Sequence, residues 1–486
     1  MSTATPNQFS VDRDDEPATG LALIGLVVGL LTGVALYGII EFWIDEIDGK
    51  ALPTALALFV VTVSAVFLLT VERTGLLRAA LAAFAIGAII AAPDYFMAGR
   101  GGVDDLNLSL FPIVFWFAAG RYLAIYLLAV LVKASLEAGA PPPYARVFAH
   151  GVTMPLIIIG AFVFALLALV LLFAWAFLLK SMEIDFFADL FQEPWFILPF
   201  LGAIGGLSIA LMRGQQAVLG ALRYILQLFA RILMPITAVF TVILLAVLAS
   251  RGVVAVFSTP APSIFMMVLA LAGMLIFNGV YQNGQNPPPA LWLRLATLIA
   301  IAGFPIYAWL AFYAFSIRIE SYGLTPARIY GVAINGLVAL YSIVCICGLA
   351  TEANWRGRRW MPLVGPLNTA MAGIWVAVLV LLSTPVFNPW AMSAESQFQR
   401  IAQEKESASR FDFGYLKFQL GPYGEDALER MLSLESHPEF PEIRAGVERA
   451  QTASNYWEYR DRVRAANPTK DIPPAPFPLE DDATSF

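Results

Sequence analysis

Three arginines stand where a cation is costly or out of place, and each is a candidate contact for an anion or a lipid head group. Arg121 lies inside the apolar run FWFAAGRYLAIYLL. A charge at the centre of a membrane span costs about 2.5–3.5 kcal/mol, so it must face a partner, water or the bundle interior. Asp94, just after Pro93, and Glu41, near the end of the first apolar run, are candidate charge partners. An ion pair and a substrate or lipid contact both stay open, and Gly120 offers a break that would bring Arg121 nearer the interface. Arg318 and Arg328 flank SYGLTP. Gly323 permits an unusual backbone angle, Thr325 can cap through its hydroxyl and Pro326 suits a first helical position, so GLTP reads as a helix start. Arg328 then falls in the first turn, where the dipole disfavours a cation by about 0.3 kcal/mol. With Arg318 it can hold an anion over the exposed amides, or it can pair with Glu320 or stack on Tyr322.

Other chemistries find little support. There is no P-loop, no H-E-x-x-H, no G-x-S-x-G and no carboxylate pair within one apolar run. Cys345 and Cys347 point about 200° apart on a helix, which suits neither a disulfide framework nor zinc. His150 and His437 are too few and too far apart to build a metal site. No cofactor, metal or catalytic residue is therefore expected. No acid lies near the middle of any span, which counts against a proton- or sodium-coupled carrier. The excess of acid sits in the C-terminal tail, and this excludes nucleic acid as the expected partner.

The elements that must position these residues are membrane helices. A chain of 486 residues that is 59% hydrophobic, 14% charged and has a mean hydropathy of +0.72 cannot hide its apolar side chains in one water-soluble core. Runs long enough to span a bilayer cover residues 21–42, 51–70, 76–96, 110–132, 152–179, 196–212, 232–249, 262–281, 295–315, 330–350 and 362–388. These eleven spans, with ten to twelve allowed, predict an all-α polytopic bundle. Pro93, Pro235, Pro305 and Pro385 mark ends or kinks. Lys and Arg gather in the loops on the side of the N-terminus, which places that end inside and the tail outside. Residues 183–191 and 213–231 read either as helices lying at the membrane surface or as packed caps on the bundle. Gly25, Gly29 and Gly33 leave one face of the first span bare, for packing within the bundle or for dimerisation.

The chain divides into a polar, disordered segment at 1–20, the bundle at 21–390, a small mostly helical extramembrane domain at 391–466 and a Pro-rich acidic disordered tail at 467–486. Within the third part, FDFGYLKFQL has the aromatic enrichment of a strand. YGEDALERMLSL reads as a helix following Gly424, and PEIRAGVERAQ as a second helix with Pro441 at its start.

Four stretches in order, FNGVYQNG (277–284), SYGLTPARIYG (321–331), STPVFNPWAMSAESQFQR (383–400) and YLKFQLGPYGEDALERM (415–431), resemble the bacterial membrane family catalogued as domain of unknown function 4153. The resemblance implies a multi-pass inner-membrane protein and no established activity, so it carries no catalytic residues over. Three functions follow as expectations. The first is a non-enzymatic envelope or partner-binding subunit, with membrane lipid around it and a protein partner at the C-terminal tail. The second is a translocase for a lipid or small anion, and the third an enzyme on a lipid-linked substrate. The oligomeric state stays open.

Overall fold

In lipid every backbone polar group needs an internal partner, so apolar runs of this length are held as continuous helices. The computed structural model describes residues 18–43, 51–72, 75–98, 111–253, 257, 261–352 and 360–466. Among them eleven helices are long and apolar enough to cross a membrane. They are α1 (Ala18–Trp43), α2 (Ala51–Thr70), α3 (Leu76–Ala98), α4 (Phe111–Ala138) and α5 (Tyr144–Lys180), then, after a one-turn α6 (Phe186–Leu190), α7 (Pro194–Gly214) and α8 (Gln216–Arg251). The remaining four are α9 (Pro262–Tyr281), α10 (Leu291–Tyr322), α11 (Pro326–Glu352) and α12 (Val364–Leu381). A 3₁₀ turn at Pro385–Phe387 leads into five short helices: α13 (Pro389–Ala402), α14 (Phe413–Leu420), α15 (Pro422–Met431), α16 (Phe440–Thr452) and α17 (Tyr456–Ala466). The chain is an all-α polytopic bundle with no strand among the described residues.

The C-terminal helices pack against the turn between the end of α10 and the start of α11. Three cores hold the assembly. One is centred on α9–α11 with α8 and α12, built on Phe277, Phe304 and Tyr307. A second joins α2–α5 and α7. The third lies within the C-terminal helices and takes in Ile329, Tyr330 and Leu382 from the bundle.

Gly25, Gly29 and Gly33 pack inside the bundle. They face Gly206, Gly202 and the Leu198–Pro199 backbone of α7, and a Cβ on any of the three would collide with a main-chain carbonyl. Small residues on both helices let the backbones touch, and dispersion then acts along their whole length.

The structure corrects several local readings. The stretch 411–420 is not a strand: Asp412 caps α14 by accepting from the Tyr415 amide at 3.1 Å, and Phe413, Tyr415 and Leu416 fill a helical core. Aromatic enrichment reports a half-buried surface as readily as a pleat. Gly424 lies inside α15 and not before it, seated against the Leu416 backbone, while the helix opens after Gly421 at φ +54°. Residues 216–231 are the first half of α8 and not a separate lead into the span. Pro93, Pro235 and Pro305 lie inside helices, which leaves the kink and not the end of the two readings, while α4 runs unbroken through Gly120. In 183–191 only one turn is helical, and Phe191 is buried with its ring 5.5 Å from that of Phe196. The expectations for 1–17 and 467–486 fall outside the described residues.

Candidate functional site

Two polar clusters lie toward opposite ends of the α9–α12 helices, and a third, charged one gathers at the ends of α2 and α4. At the end bearing the C-terminal domain, α10 stops at Tyr322 and the chain turns at Gly323, φ +74°. Pro326 opens α11, and Thr325 Oγ1 accepts from the Arg328 amide at 3.3 Å, so the helix start forms as its residue types require. The last carbonyls of a helix have no intrahelical donors. Here α13 supplies them. Arg400 Nη1 donates to the Glu320 carbonyl at 2.9 Å, and its Nη2 to the Ser321 carbonyl at 2.5 Å and to Glu406 Oε2 at 2.6 Å. Gln397 Nε2 donates to the carbonyls of Tyr322 and Leu324 at 3.1 and 3.2 Å. Ser393 Oγ donates to the Leu324 carbonyl at 2.9 Å, and Ser396 Oγ accepts from the Leu324 amide at 3.0 Å. Tyr415 Oη of α14, 3.1 Å from Ser393 Oγ, carries the joint into the domain core, where burial pushes its phenol above the usual tyrosine range.

Arg328 belongs to this joint. Its Nη1 donates to the Gly323 carbonyl at 2.7 Å and its guanidinium lies 5.6 Å over the Tyr322 ring, so it takes the stacking alternative. The carbonyl end of α10 and the amide end of α11 meet at this turn, and the first supplies the negative field that the second denies a cation. Arg318 and Arg400 both lie within electrostatic range of Arg328. Glu320 enters through its backbone, and its side chain is exposed.

Arg121 sits elsewhere, in a groove lined by Ile89, Pro93, Leu379 and Ser383, and within electrostatic range of Tyr330. Tyr330 is in the first turns of α11 and Ser383 lies just past the end of α12. The arginine is thus level with the ends of neighbouring spans on the domain-bearing face, because α4 extends beyond them. Glu41 is exposed near the end of α1, and Asp94 lies on α3, a neighbour of α4.

The second place is an uncharged network near the opposite face. Asn278 of α9 donates through Nδ2 to the Met274 carbonyl at 2.9 Å and to Tyr341 Oη of α11 at 2.7 Å. Its Oδ1 accepts from Asn368 Nδ2 of α12 at 2.8 Å and from Tyr144 Oη of α5 at 3.3 Å. Asn368 Nδ2 also donates to Tyr144 Oη at 3.1 Å. Beside it, Tyr281 Oη donates to the Met361 carbonyl at 3.1 Å and accepts from the Gly365 amide at 3.0 Å, tying the segment before α12 to the end of α9. Four helices meet here, and sequence reasoning touched only FNGVYQNG among their residues.

On the same face Lys133 of α4 is buried between Glu72, which it contacts directly, Glu137 at 3.3 Å and the Thr70 carbonyl at 3.3 Å. His150 Nε2 lies 2.9 Å from Glu137 Oε2. Arg213 donates to the Leu68 and Val71 carbonyls at 2.6 and 2.7 Å and so caps the end of α2, as Arg400 caps α10. No group of three metal-ligating side chains forms among the described residues.

A family model described as Domain of unknown function (DUF4153) matches residues 55–431. No curated protein and no solved structure matches the chain.

Proposed function

This chain belongs to that family, and from its architecture we propose a non-enzymatic, partner-binding membrane subunit of the bacterial envelope, seated in the inner membrane. The observation that carries the reading is the joint at α10–α11. Side chains of α13 bond carbonyls of the bundle directly, so the C-terminal domain is held in one orientation instead of swinging on a linker. A fixed orientation serves a module that must present one surface to a partner. That surface carries Trp457, 65% exposed, with Arg460 over its ring at 5.8 Å. Tryptophan and arginine are the residue types that dominate binding energy at protein interfaces. An open cleft of about 150 Å³ between Lys417, Glu425, Glu429 and Gln451 lies on the same domain.

The N-terminus is cytoplasmic and the domain periplasmic in this reading, as the Lys and Arg distribution of the loops favours. Reporter fusions at the C-terminus that work on only one side of the membrane test that orientation. For the partner, cross-linking in native membranes through a photoreactive group beside Trp457 is expected to recover one protein, and Trp457→Ala to lose it. Purification of the protein alone under every condition overturns the proposal.

A second reading, a translocase for a lipid or small anion, rests on Arg121, which borders an apolar groove. Arg318 and Arg328 fit it less well, since Arg328 is engaged in the joint. Full complementation by Arg121→Ala in a cell that needs the protein leaves this reading without its contact.

A further inference from the structure

Two neighbours fix the protonation state of His437, in the connector between α15 and α16. Its Nε2 lies 3.0 Å from the Ile401 carbonyl, which can only accept. Its Nδ1 lies 3.1 Å from the Glu439 amide, which can only donate. The ring therefore carries its proton on Nε2 and presents a bare Nδ1, the neutral imidazole in a single tautomer. A second proton has no place here, because an Nδ1–H would point at the Glu439 N–H. The backbone holds the ring in position: the His437 amide donates to the Leu434 carbonyl at 2.9 Å, and the His437 carbonyl accepts from the Phe440 amide at 3.0 Å.

The same connector is tied a second time. The Glu439 carboxylate accepts from the Ala408 amide at 2.6 Å and from the Ser407 hydroxyl at 2.9 Å, in the segment between α13 and α14. His437 and Glu439 thus clamp the connector to the end of α13 and to the segment that follows it. Of the charged groups around the ring, Glu439 is in electrostatic range of it. On the α13 side Arg400 is held by Glu406 at 2.6 Å, while Glu404, Lys405 and Arg410 are exposed, as is Glu435 on the α15 side. Protonation sets a cation beside the Glu439 carboxylate, and that carboxylate is the acceptor at hand for the new Nδ1–H. To take it, the carboxylate must leave Ala408 and Ser407. Histidine is the side chain that changes charge between pH 5 and 8, a range in which carboxylates stay ionised. We propose that His437 is a pH-sensitive latch: neutral, it fastens the α15–α16 connector to α13, and protonated, it releases the Glu439 amide and draws the Glu439 carboxylate off the 407–408 segment. The neutral form holds the latch, so it is closed above that range and opens as pH falls through it. Ile401 directly follows Arg400, so the end that is freed adjoins the joint with α10. The latch is independent of the partner reading, which concerns the surface at Trp457.

The test uses the full chain in phosphatidylcholine nanodiscs. The chain has two histidines, so isotope-labelled histidine gives two sets of ring signals, and His150→Gln identifies those of His437. At pH 8 the nitrogen shifts of His437 should be those of the Nε2–H tautomer, and on acidification those of the cation. Amide hydrogen exchange, corrected for the intrinsic effect of pH, is the second readout. Peptides holding Ala408 and Glu439 should exchange about fivefold faster at pH 5.5 than at pH 7.5, the effect of one lost hydrogen bond, while peptides from α9–α12 stay unchanged. In His437→Asn an amide oxygen takes the place of Nδ1 and cannot be protonated, so the acid step should vanish. An Nδ1–H tautomer at pH 8 overturns the proposal, and this measurement on the wild-type ring carries the test if His437→Asn fails to fold. A wild type without the acid step, or a variant that keeps it, overturns the proposal as well.

Discussion

The joint at α10–α11 and the Tyr–Asn network are both polar clusters in an apolar bundle, yet they solve burial in opposite ways. The joint is charged. Arg400 satisfies two helix-end carbonyls and the Glu406 carboxylate, and Arg328 a third carbonyl and an aromatic face. The network is neutral, made of amides and phenols whose directions propagate from one carbonyl, and it ends on an unmatched oxygen. The charged cluster fastens the C-terminal domain to the bundle, whereas the neutral one ties four helices of the bundle to one another.

The largest way to break the comparison is Arg400→Ala. It leaves Glu406 and two carbonyls without their donor, and loss of one partner from a buried charged cluster costs about 3–5 kcal/mol. Limited proteolysis between α12 and α13 should become rapid, with the bundle still folded. Gly323→Ala comes next. At φ +74° and ψ −178° the backbone is in a region open essentially only to glycine, worth about 1–3 kcal/mol, and the added Cβ would press on Arg400 and Gln397. The same proteolytic assay should show intermediate release of the domain. In the network, Tyr341→Phe deprives Asn278 Nδ2 of one acceptor and should cost about 1–2 kcal/mol by thermal unfolding, with domain docking unchanged.

Acid sharpens the contrast most gently. Glu439 accepts from the Ala408 amide and the Ser407 hydroxyl, and Glu395 from Arg430, so both carboxyls are held below the usual carboxylate range. A depressed folded pKa gives stability that is complete above the unfolded value of about 4.3 and is lost as pH falls through the folded one. The C-terminal domain should loosen below about pH 4, read by the fluorescence of Trp457. The amide and phenol groups of the network do not titrate in that window, so its Trp360 signal should hold.

The number of spans was legible because some twenty apolar residues in a row have few alternatives. Their ends were not, since helices continue past the lipid wherever a neighbour packs against them. α5 begins at Tyr144, eight residues before its apolar run, and that extension brings Tyr144 into the network. GLTP was legible because a positive φ, a hydroxyl cap and a proline act within four residues. Arg400 was not, because nothing local distinguishes it on an amphipathic helix, and its role exists only once α13 meets α10. Arg121 looked central in its apolar run, and only the levels of α11 and α12 move it toward the interface. The tail strand was misread because aromatic residues serve a small helical core as well as a sheet.

The glycine seam between α1 and α7 has a consequence for synthesis. Gly29 and Gly202 are far apart in the chain, so the first span enters the membrane long before its closest neighbour has been translated. At about 5–20 residues per second the wait is roughly 10–30 seconds. For that interval a bare strip of backbone faces lipid, open to any small-faced helix that passes. The seam therefore makes the order of insertion matter, and a ribosome stalled before residue 194 would leave α1 held by α2 alone, with its glycine face uncovered.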